Sequence, residues 1–211
     1  MTGIIVCGGK IENHKYMKKY FDEAQIVISA DSGARHCRNF QVTPDLLVGD
    51  FDSVYGADYD DLAAAGVEIV QFPVEKDMTD SELAIEIALE RGCSKVILLG
   101  ALGTRLDHSM SNLFLLKKLL DKGIDGIIAD EHNEVELINH SIILTREEGI
   151  FITLLPLAGS AKGVTTSGLY YPLEDATLEV GSSWGVSNRF SEDIAQVTVK
   201  EGYLLVIKAR D

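Results

Sequence analysis

The stretch KVILLGALGTRLDHSMSNLFLLKKLLDKG, residues 95–123, decides how this chain is read. KVILLG is a nearly continuous apolar run, the pattern of a strand covered on both faces. LDHSMSNLFLLKKLLDKG, from Leu106, reads as a helix that ends in basic residues and stops at Gly123. Between them lies Gly100–Ala101–Leu102–Gly103–Thr104–Arg105, a glycine-bearing strand-to-helix turn whose N–H groups suit a phosphate at the helix N-terminus. It lacks the G-K-[ST] ending of a P-loop and is not G-x-G-x-x-G, so as a motif it is weak. Arg105 supplies a bidentate phosphate contact instead.

The same rhythm extends upstream. GIIVCGG (3–9), QIVISA (25–30), DLLVGD (45–50) and VEIVQF (67–72) read as strands, and GIIAD (126–130) follows the helix. TDSELAIEIALERG (79–92) is a second helix, with a Thr79–Glu82 capping box at its start and Gly92 at its end. Strands alternating with helices indicate a parallel α/β sheet. After residue 132 the pattern changes to EVELIN, SIILTR, GIFITLLPL, ATLEV, AQVTV and GYLLVIKAR, separated by turn-rich pieces such as LAGSAKG, TTSG and EVGSSWG. That part reads as a small all-β unit without helices.

Composition sets the outer bounds. The chain has 211 residues, 46% hydrophobic and 25% charged, enough for one large domain or two small ones. Nineteen basic against 33 acidic residues give a net charge of −14, spread over both halves, which speaks against a nucleic-acid surface. No apolar run reaches membrane-spanning length, and MTGIIVCGGK does not resemble a signal peptide. Cys7, Cys37 and Cys93 have no metal-ligand spacing and read as reduced thiols of a cytoplasmic protein.

Acids stand at successive strand ends: Asp31, then Asp50 and Asp52 in GDFDS, then Asp77 and Asp80, then Asp107 beside Arg105. Ligands of open α/β sheets bind at these ends. If GDFDS stays extended, Asp50 and Asp52 face one way and Phe51 the other, a pair that repels unless a cation such as Mg²⁺ is shared. Each acid also has a plain alternative: a solvated turn for Asp50, Asp52 and Asp77, and a helix-dipole partner for Asp80. Lys76 suits phosphate neutralisation, or is an ordinary solvated lysine. His108, with Asn112 one turn on, reads as a structural tether. Trp184 in GSSWGVSNRF is either core packing, which spacing slightly favours, or the wall of a pocket for a flat heterocycle.

Taken together, ADSGARH (30–36), TPDLLVGDFDS (43–53), KDMTDSELA (76–84), LGALGTRLDHSMSNLFLL (99–116), TTSGLYYPL and GVSNRF resemble the thiamine pyrophosphokinase family over nearly the whole chain, in order. The resemblance implies a mixed α/β protein with an N-terminal Rossmann-like parallel sheet and helices, residues 1–132, holding ATP and Mg²⁺. A smaller C-terminal all-β, sandwich-like domain, residues 133–211, would bind thiamine. It further implies pyrophosphoryl transfer from ATP to the thiamine hydroxyl, release of AMP, and a homodimer with thiamine near the subunit interface. Carried over by residue, Asp50, Asp52 and Asp80 would bind Mg²⁺ and the phosphates, with Arg105 and Asp107 at the same catalytic site. Asp31, Lys76, Asp77, Thr79, Gly103 and Thr104 would line the nucleotide site, and Trp184, Ser187 and Asn188 the thiamine site. Trp184, Tyr170 and Tyr203 are the candidates for stacking on thiamine. Two departures stand out: Thr104 where relatives often carry a second glycine before the arginine, and Asp31–Ser32–Gly33–Ala34 where they often read D-G-G-A.

Two rivals remain at this level. Asp50–Phe51–Asp52–Ser53–Val54 fits the D-x-D-x-[TV] pattern of haloacid-dehalogenase phosphatases, with Asp50 as nucleophile. A non-catalytic nucleotide- or thiamine-sensing module would keep the β pocket and dispense with the carboxylates. Incubation with ATP, Mg²⁺ and thiamine separates the three readings. Asp52→Asn, which removes a metal ligand but keeps the shape, is expected to abolish thiamine diphosphate formation and leave the circular dichroism unchanged. Near-normal turnover at ordinary Mg²⁺ would overturn the metal assignment.

Overall fold

The computed structural model describes residues 1–51, 56–73, 75 and 77–211, and the chain divides into two compact units, Met1–Glu131 and His132–Asp211. The fold is mixed α/β. In the first unit, strands β1 (Thr2–Val6), β2 (Ile26–Ala30), β3 (Leu46–Gly49), β4 (Glu68–Gln71), β5 (Lys95–Leu99) and β6 (Asp125–Ala129) form a wholly parallel sheet in the order β4-β3-β2-β1-β5-β6. Each lies within the run that the sequence marks as a strand or one residue outside it.

The register explains why these runs are so apolar. Leu46, Ile28, Ile5, Leu98 and Ile128 are partners across five adjacent strands and form one solvent-excluded row. On the opposite face Ile4, Val6, Val27, Ile97 and Leu99 pack under Met17, Cys37 and Phe40. Those three come from α1 (His14–Met17) and α2 (Ala34–Phe40). Both faces are therefore dry at the centre of the sheet, as parallel sheets require, while the edge strand β4 is partly exposed.

Helix α4 (Asp80–Glu90) packs on β1, β2 and β3, and α5 (Leu106–Asp121) packs on β6. The Thr79 side chain caps α4 by accepting from the Glu82 N–H at 3.2 Å, and Gly92 and Gly123 follow the two helices at φ 83° and 74°. Lys118 of α5 ties the two helices, 2.8 Å from Glu82 and paired with Glu86. Three helices lie outside the sequence reading: α1, α2 and α3 (Gly56–Ala64). They are short, and no capping box marks their starts.

The second unit contains β7 (Asn133–Ile138), β8 (Ser141–Thr145), β9 (Phe151–Ser167), β10 (Ala176–Leu178), β11 (Ile194–Thr198) and β12 (Glu201–Ala209), with no helix among its described residues. All its pairings are antiparallel: β7 on β12, β12 on β9, β9 on β11 and on β10, and β11 on β8. One expectation is corrected here. LAGSAKG reads as a turn between strands, but β9 runs through it. Ala158 (φ 60°), Gly159 (φ 122°) and Gly163 (φ 66°) bend the strand instead, so its first half pairs with β12 and its second with β10 and β11. Ile152, Leu154, Ala161, Val164, Val197 and Leu204 are at the centre of the core this strand helps enclose.

Helix α2 approaches β1 without room for a methyl group at its entry. A Cβ on Gly33 would lie 1.9 Å from the Val6 carbonyl oxygen, while its φ of −58° is ordinary, so the demand is purely steric. Gly33→Ala is expected to cost about 1–3 kcal/mol, read as a lower denaturant midpoint. An unchanged midpoint would show that α2 moves away without penalty.

Candidate active site

Beyond β1 the chain runs toward β2, β3 and β4 on one side; beyond β5 it runs toward β6 on the other. Loops that part in this way leave a crevice at the carboxyl ends of the strands. Here it is a cleft of about 710 Å³ within the first unit, within the usual range for a small-molecule site. Its floor is two loops zipped together. The Cys7 N–H donates to Leu99 O (2.8 Å), the Gly9 N–H to Gly100 O (2.8 Å) and the Lys10 N–H to Leu102 O (3.2 Å). The loop after β5 is further pinned from α5. The Asn112 Nδ2 donates to Ala101 O at 2.7 Å, and Ser109 Oγ accepts from the Gly103 N–H at 3.1 Å. The tether on this helix face is Asn112, one turn beyond His108, for which the sequence suggests that role; His108 itself is exposed in the cleft.

Of the residues singled out from the sequence, Asp31, Thr79, Asp80, Gly103, Thr104 and Arg105 line this one cleft, with His108 beside them. The N-terminal turns of α4 and α5 both open onto it. Asp31 follows β2 at φ 45°, a left-handed conformation that Asp tolerates better than most residues. Gly49 sits against it: a Cβ there would be 3.2 Å from Asp31 Cβ. Asp50 is next in the chain, so the ends of β2 and β3 bring two acids side by side. Asp50 and Asp77 are not among the lining residues.

The extended reading of GDFDS does not hold. Strand β3 stops at Gly49 and Phe51 has φ 65°, so side-chain alternation ends before Asp52. Asp52 itself and Lys76 lie outside the described residues. Among those described, no three of His, Cys, Asp and Glu form a group able to hold a metal ion. The donors that do face the cleft are nonetheless carboxylate oxygens, the hard ligands suited to Mg²⁺, which needs only one or two of them alongside substrate phosphates.

Asp107 stands outside the lining, at the rim. Its carboxylate takes Nε and Nη2 of Arg105 at 3.2 and 2.5 Å, and that guanidinium bond holds its pKa down at about 2. The cations of the cleft include two that sequence reading passes over, Lys10 and Arg35. Arg35 Nη2 donates to Gly8 O at 3.0 Å, and Lys10 pairs with Glu12 at 2.7 Å. The signal for Lys10 was the Gly-Gly-Lys that ends the first apolar run, which reads more simply as the tail of a strand. Cys7 also lines the cleft, but burial pushes its thiol up to about 11 against the opposing Ser81 hydrogen bond, with Asp80 adding to the rise. Its thiolate is therefore disfavoured. All three cysteines are buried and free.

In the second unit Trp184 is 63% exposed, which overturns the core reading that spacing favours. Tyr170 and Tyr171 are likewise exposed, their rings edge to face at 4.8 Å, whereas Tyr203 is half-buried in β12. Ser187 is exposed at φ 60°. Asn188 is 7% exposed and its amide is engaged: Oδ1 accepts from the Tyr171 and Arg189 N–H groups, and Nδ2 donates to Tyr171 O at 2.7 Å. It joins the segment carrying Trp184 to the segment carrying the two tyrosines.

A six-stranded parallel sheet with a cleft at its switch point, followed by an antiparallel unit, places the chain among mixed α/β ligand-binding proteins. The family model for the thiamin pyrophosphokinase catalytic domain matches residues 17–128, and that for the thiamin pyrophosphokinase vitamin B1 binding domain matches residues 139–204. The chain is 27% identical to a thiamine pyrophosphokinase of Bacillus subtilis over 98% of both chains. The crystal structure of thiamine pyrophosphokinase from that organism superposes with a TM-score of 0.91 at 27% identity, covering all of both chains. That of thiamin pyrophosphokinase from Geobacillus thermodenitrificans gives 0.85 at 27% identity, covering all of this chain and 98% of the other. The chain belongs to the thiamin pyrophosphokinase family, and its function is that of the family, an ATP:thiamine diphosphotransferase. A haloacid-dehalogenase phosphatase and a non-catalytic sensor are thereby set aside.

The two polar neighbours of the Trp184 segment should separate cleanly. Asn188→Ala leaves two N–H groups and a carbonyl without their partner and is expected to cost roughly 1–3 kcal/mol in urea denaturation. Ser187→Ala, at an exposed position, should stay within about 0.5 kcal/mol. Equal stabilities for the two variants would contradict the structural role of Asn188.

Proposed function

We propose that the cleft at the ends of β1 and β5 holds the triphosphate of ATP, and that thiamine is bound by the second unit. On this reading residues 1–132 are a Rossmann-like catalytic domain and residues 133–211 a sandwich-like thiamine-binding domain. The strand order β4-β3-β2-β1-β5-β6, with its crevice beside β1, supports the first assignment. The observation that carries the proposal is the lining itself. Asp31 and Asp80 share one cleft with Lys10, Arg35 and Arg105, under the N-termini of two helices. Helix N-termini and guanidinium groups favour phosphate; the two carboxylates repel it. That conflict is relieved by a divalent cation between acid and phosphate, and Asp50, Asp52 and Asp80, with Asp31 beside them, are the residues that would hold Mg²⁺. The ion, when bound, would withdraw charge from the phosphates.

In the reaction, the oxygen of the thiamine hydroxyethyl group attacks the β-phosphorus in line. A bond forms from that oxygen to Pβ, and the bond from Pβ to the bridging oxygen of Pα breaks. AMP leaves with the bridging oxygen and the hydroxyl proton passes to solvent or a nearby carboxylate. Arg105, Arg35, Lys10 and Lys76 steady the polyphosphate, and positioning does most of the work. Trp184, Tyr170 and Ser187 are exposed groups suited to meeting a flat heterocycle. Leu106, Met110 and Phe114, spaced four apart along α5 and exposed, support a homodimer as the state in which they are covered. Buried free thiols fit a cytoplasmic protein, and no described helix is long and apolar enough to cross a membrane.

Thr104 is exposed at the cleft mouth, so Thr104→Trp adds bulk to the cleft without disturbing a core. It is expected to raise the KM for ATP about tenfold or more and leave that for thiamine unchanged, in an assay that resolves AMP and thiamine diphosphate by chromatography. A folded variant with unchanged KM for ATP would overturn the cleft as the nucleotide site.

A further inference from the structure

Behind the cleft wall stand two histidines that do not line it. His36, on α2, is buried, and its Nε2 lies 2.7 Å from the carbonyl oxygen of Gly9. A carbonyl only accepts, so Nε2 carries the hydrogen and Nδ1 is left as an acceptor. His14 Nε2 is 3.0 Å from that Nδ1 and must therefore donate to it. The His14 ring is itself steadied edge-on by Phe40 at 4.7 Å. Asn39 Nδ2 is 3.5 Å from His14 Nε2, too far to compete well.

These rings complete a ring of ties around one short loop. Gly8 O takes Arg35, Gly9 O takes His36, and the Gly9 and Lys10 N–H groups reach the loop after β5. Further along, beyond Ile11, the Glu12 and Asn13 N–H groups donate to the Glu131 carboxylate at 2.5 and 2.6 Å. The geometry points to His36 as a positioning residue for the nucleotide: through Gly9 it fixes the Gly8–Gly9–Lys10 wall of the cleft, and His14 fixes its tautomer. The inference rests on the cleft being the ATP site.

The couple has a defined proton capacity. A first proton fits on His14 Nδ1 without disturbing either hydrogen bond. A second, on His36 Nδ1, sets two N–H groups and two cations against each other across 3.0 Å. The charged neighbours are Arg35 on the same helix and Glu131, which acts on both rings. Burial lowers both imidazoles below their ordinary value. For His36, Arg35 and His14 add to that effect, and the Gly9 bond and Glu131 oppose it. At neutral pH the couple is therefore unprotonated and intact, and it fails on the acid side.

The test compares wild type, His36→Leu, His36→Gln and His14→Ala for KM of ATP and of thiamine, for pH dependence and for melting temperature. His36→Leu should raise the KM for ATP about tenfold with that for thiamine unchanged. The Gln amide can still reach Gly9 O, so His36→Gln should bring the KM for ATP back to within about threefold of wild type. It should also flatten the acid limb of kcat/KM for ATP, since an amide does not titrate. A folded His36→Leu with a wild-type KM for ATP overturns the inference, as does a His36→Gln whose acid limb is unchanged. Should His36→Leu fail to fold, His14→Ala takes its place, with a shifted acid limb supporting the couple and an unshifted one refuting it. Thr104→Trp tells the two readings apart. An unchanged KM for ATP in that variant removes the cleft, whereas a raised one, with His36→Leu unaffected, removes only the role of the histidines.

Discussion

Two loops that leave the sheet in opposite directions are held together by backbone hydrogen bonds at their roots, and the rest of the site depends on that closeness. Three bonds, from Cys7 to Leu99, Gly9 to Gly100 and Lys10 to Leu102, continue the β1–β5 ladder beyond the strand ends. A Cβ on Gly9 would meet the Gly100 and Leu102 oxygens at 2.3 and 2.4 Å, so the approach excludes any side chain there. Once the loops are fused, α5 starts from a fixed point, and its N-terminus opens onto the same volume as that of α4. The acids at the ends of neighbouring strands are set by the same sheet register, since Ala30 pairs with Val48 and Asp31 therefore adjoins Gly49.

What the sequence made legible follows from how far each feature is local. Strands β1, β2, β3 and β5 of the parallel sheet are dry on both faces, and continuous apolar runs reveal them without ambiguity. Helices α4 and α5 carry their own stop signals, and Thr79 caps α4 as the spacing implies. Helices α1 and α2 are only about one to two turns long and are held mainly by packing, so the one local mark, the Asn13 cap of α1, is too slight to reveal them. The bend in β9 shows the reverse failure. Ala158, Gly159 and Gly163 look like turn chemistry, yet the pairings with β12, β10 and β11 keep the segment a strand.

The candidate site divides along similar lines. Asp31, Asp80 and the strand-to-helix turn are visible because position in an α/β sheet implies exposure to the cleft, whereas Asp50, Asp77 and Asp107, marked by the same rule, are not in its lining. Lys10, Arg35 and Ser81 reach the same cleft, and their local signals, a Gly-Gly-Lys strand tail for Lys10 and ordinary helix-start positions for the other two, each have a plainer reading. Asn188, which the family resemblance offers as a binding residue, has its amide engaged in joining two segments. Trp184 looks like core by spacing, but the unit fills its interior largely with aliphatic side chains and leaves the indole outside. For Asn188 the deciding fact is which backbone groups need partners, and that is set by the fold and not by neighbours in sequence.

The electrostatics of the proposed nucleotide cleft have a further consequence. A chain of net charge −14 repels a polyphosphate at long range, so capture has to come from cations at the site itself. Those cations are not idle in the free protein: Arg105 is on Asp107, Lys10 is on Glu12 and Arg35 is on the Gly8 carbonyl. The Arg105–Asp107 and Lys10–Glu12 pairs are largely exposed, and exposed pairs contribute little to stability. Exchanging a carboxylate for a phosphate there costs almost nothing, and the partner left behind returns to water. Arg35 differs, because releasing Gly8 would loosen the wall that His36 also holds. The same guanidinium can keep Gly8 with Nη2 and offer its remaining N–H groups outward. The mouth of the cleft is thus built to exchange partners and its inner wall to keep them.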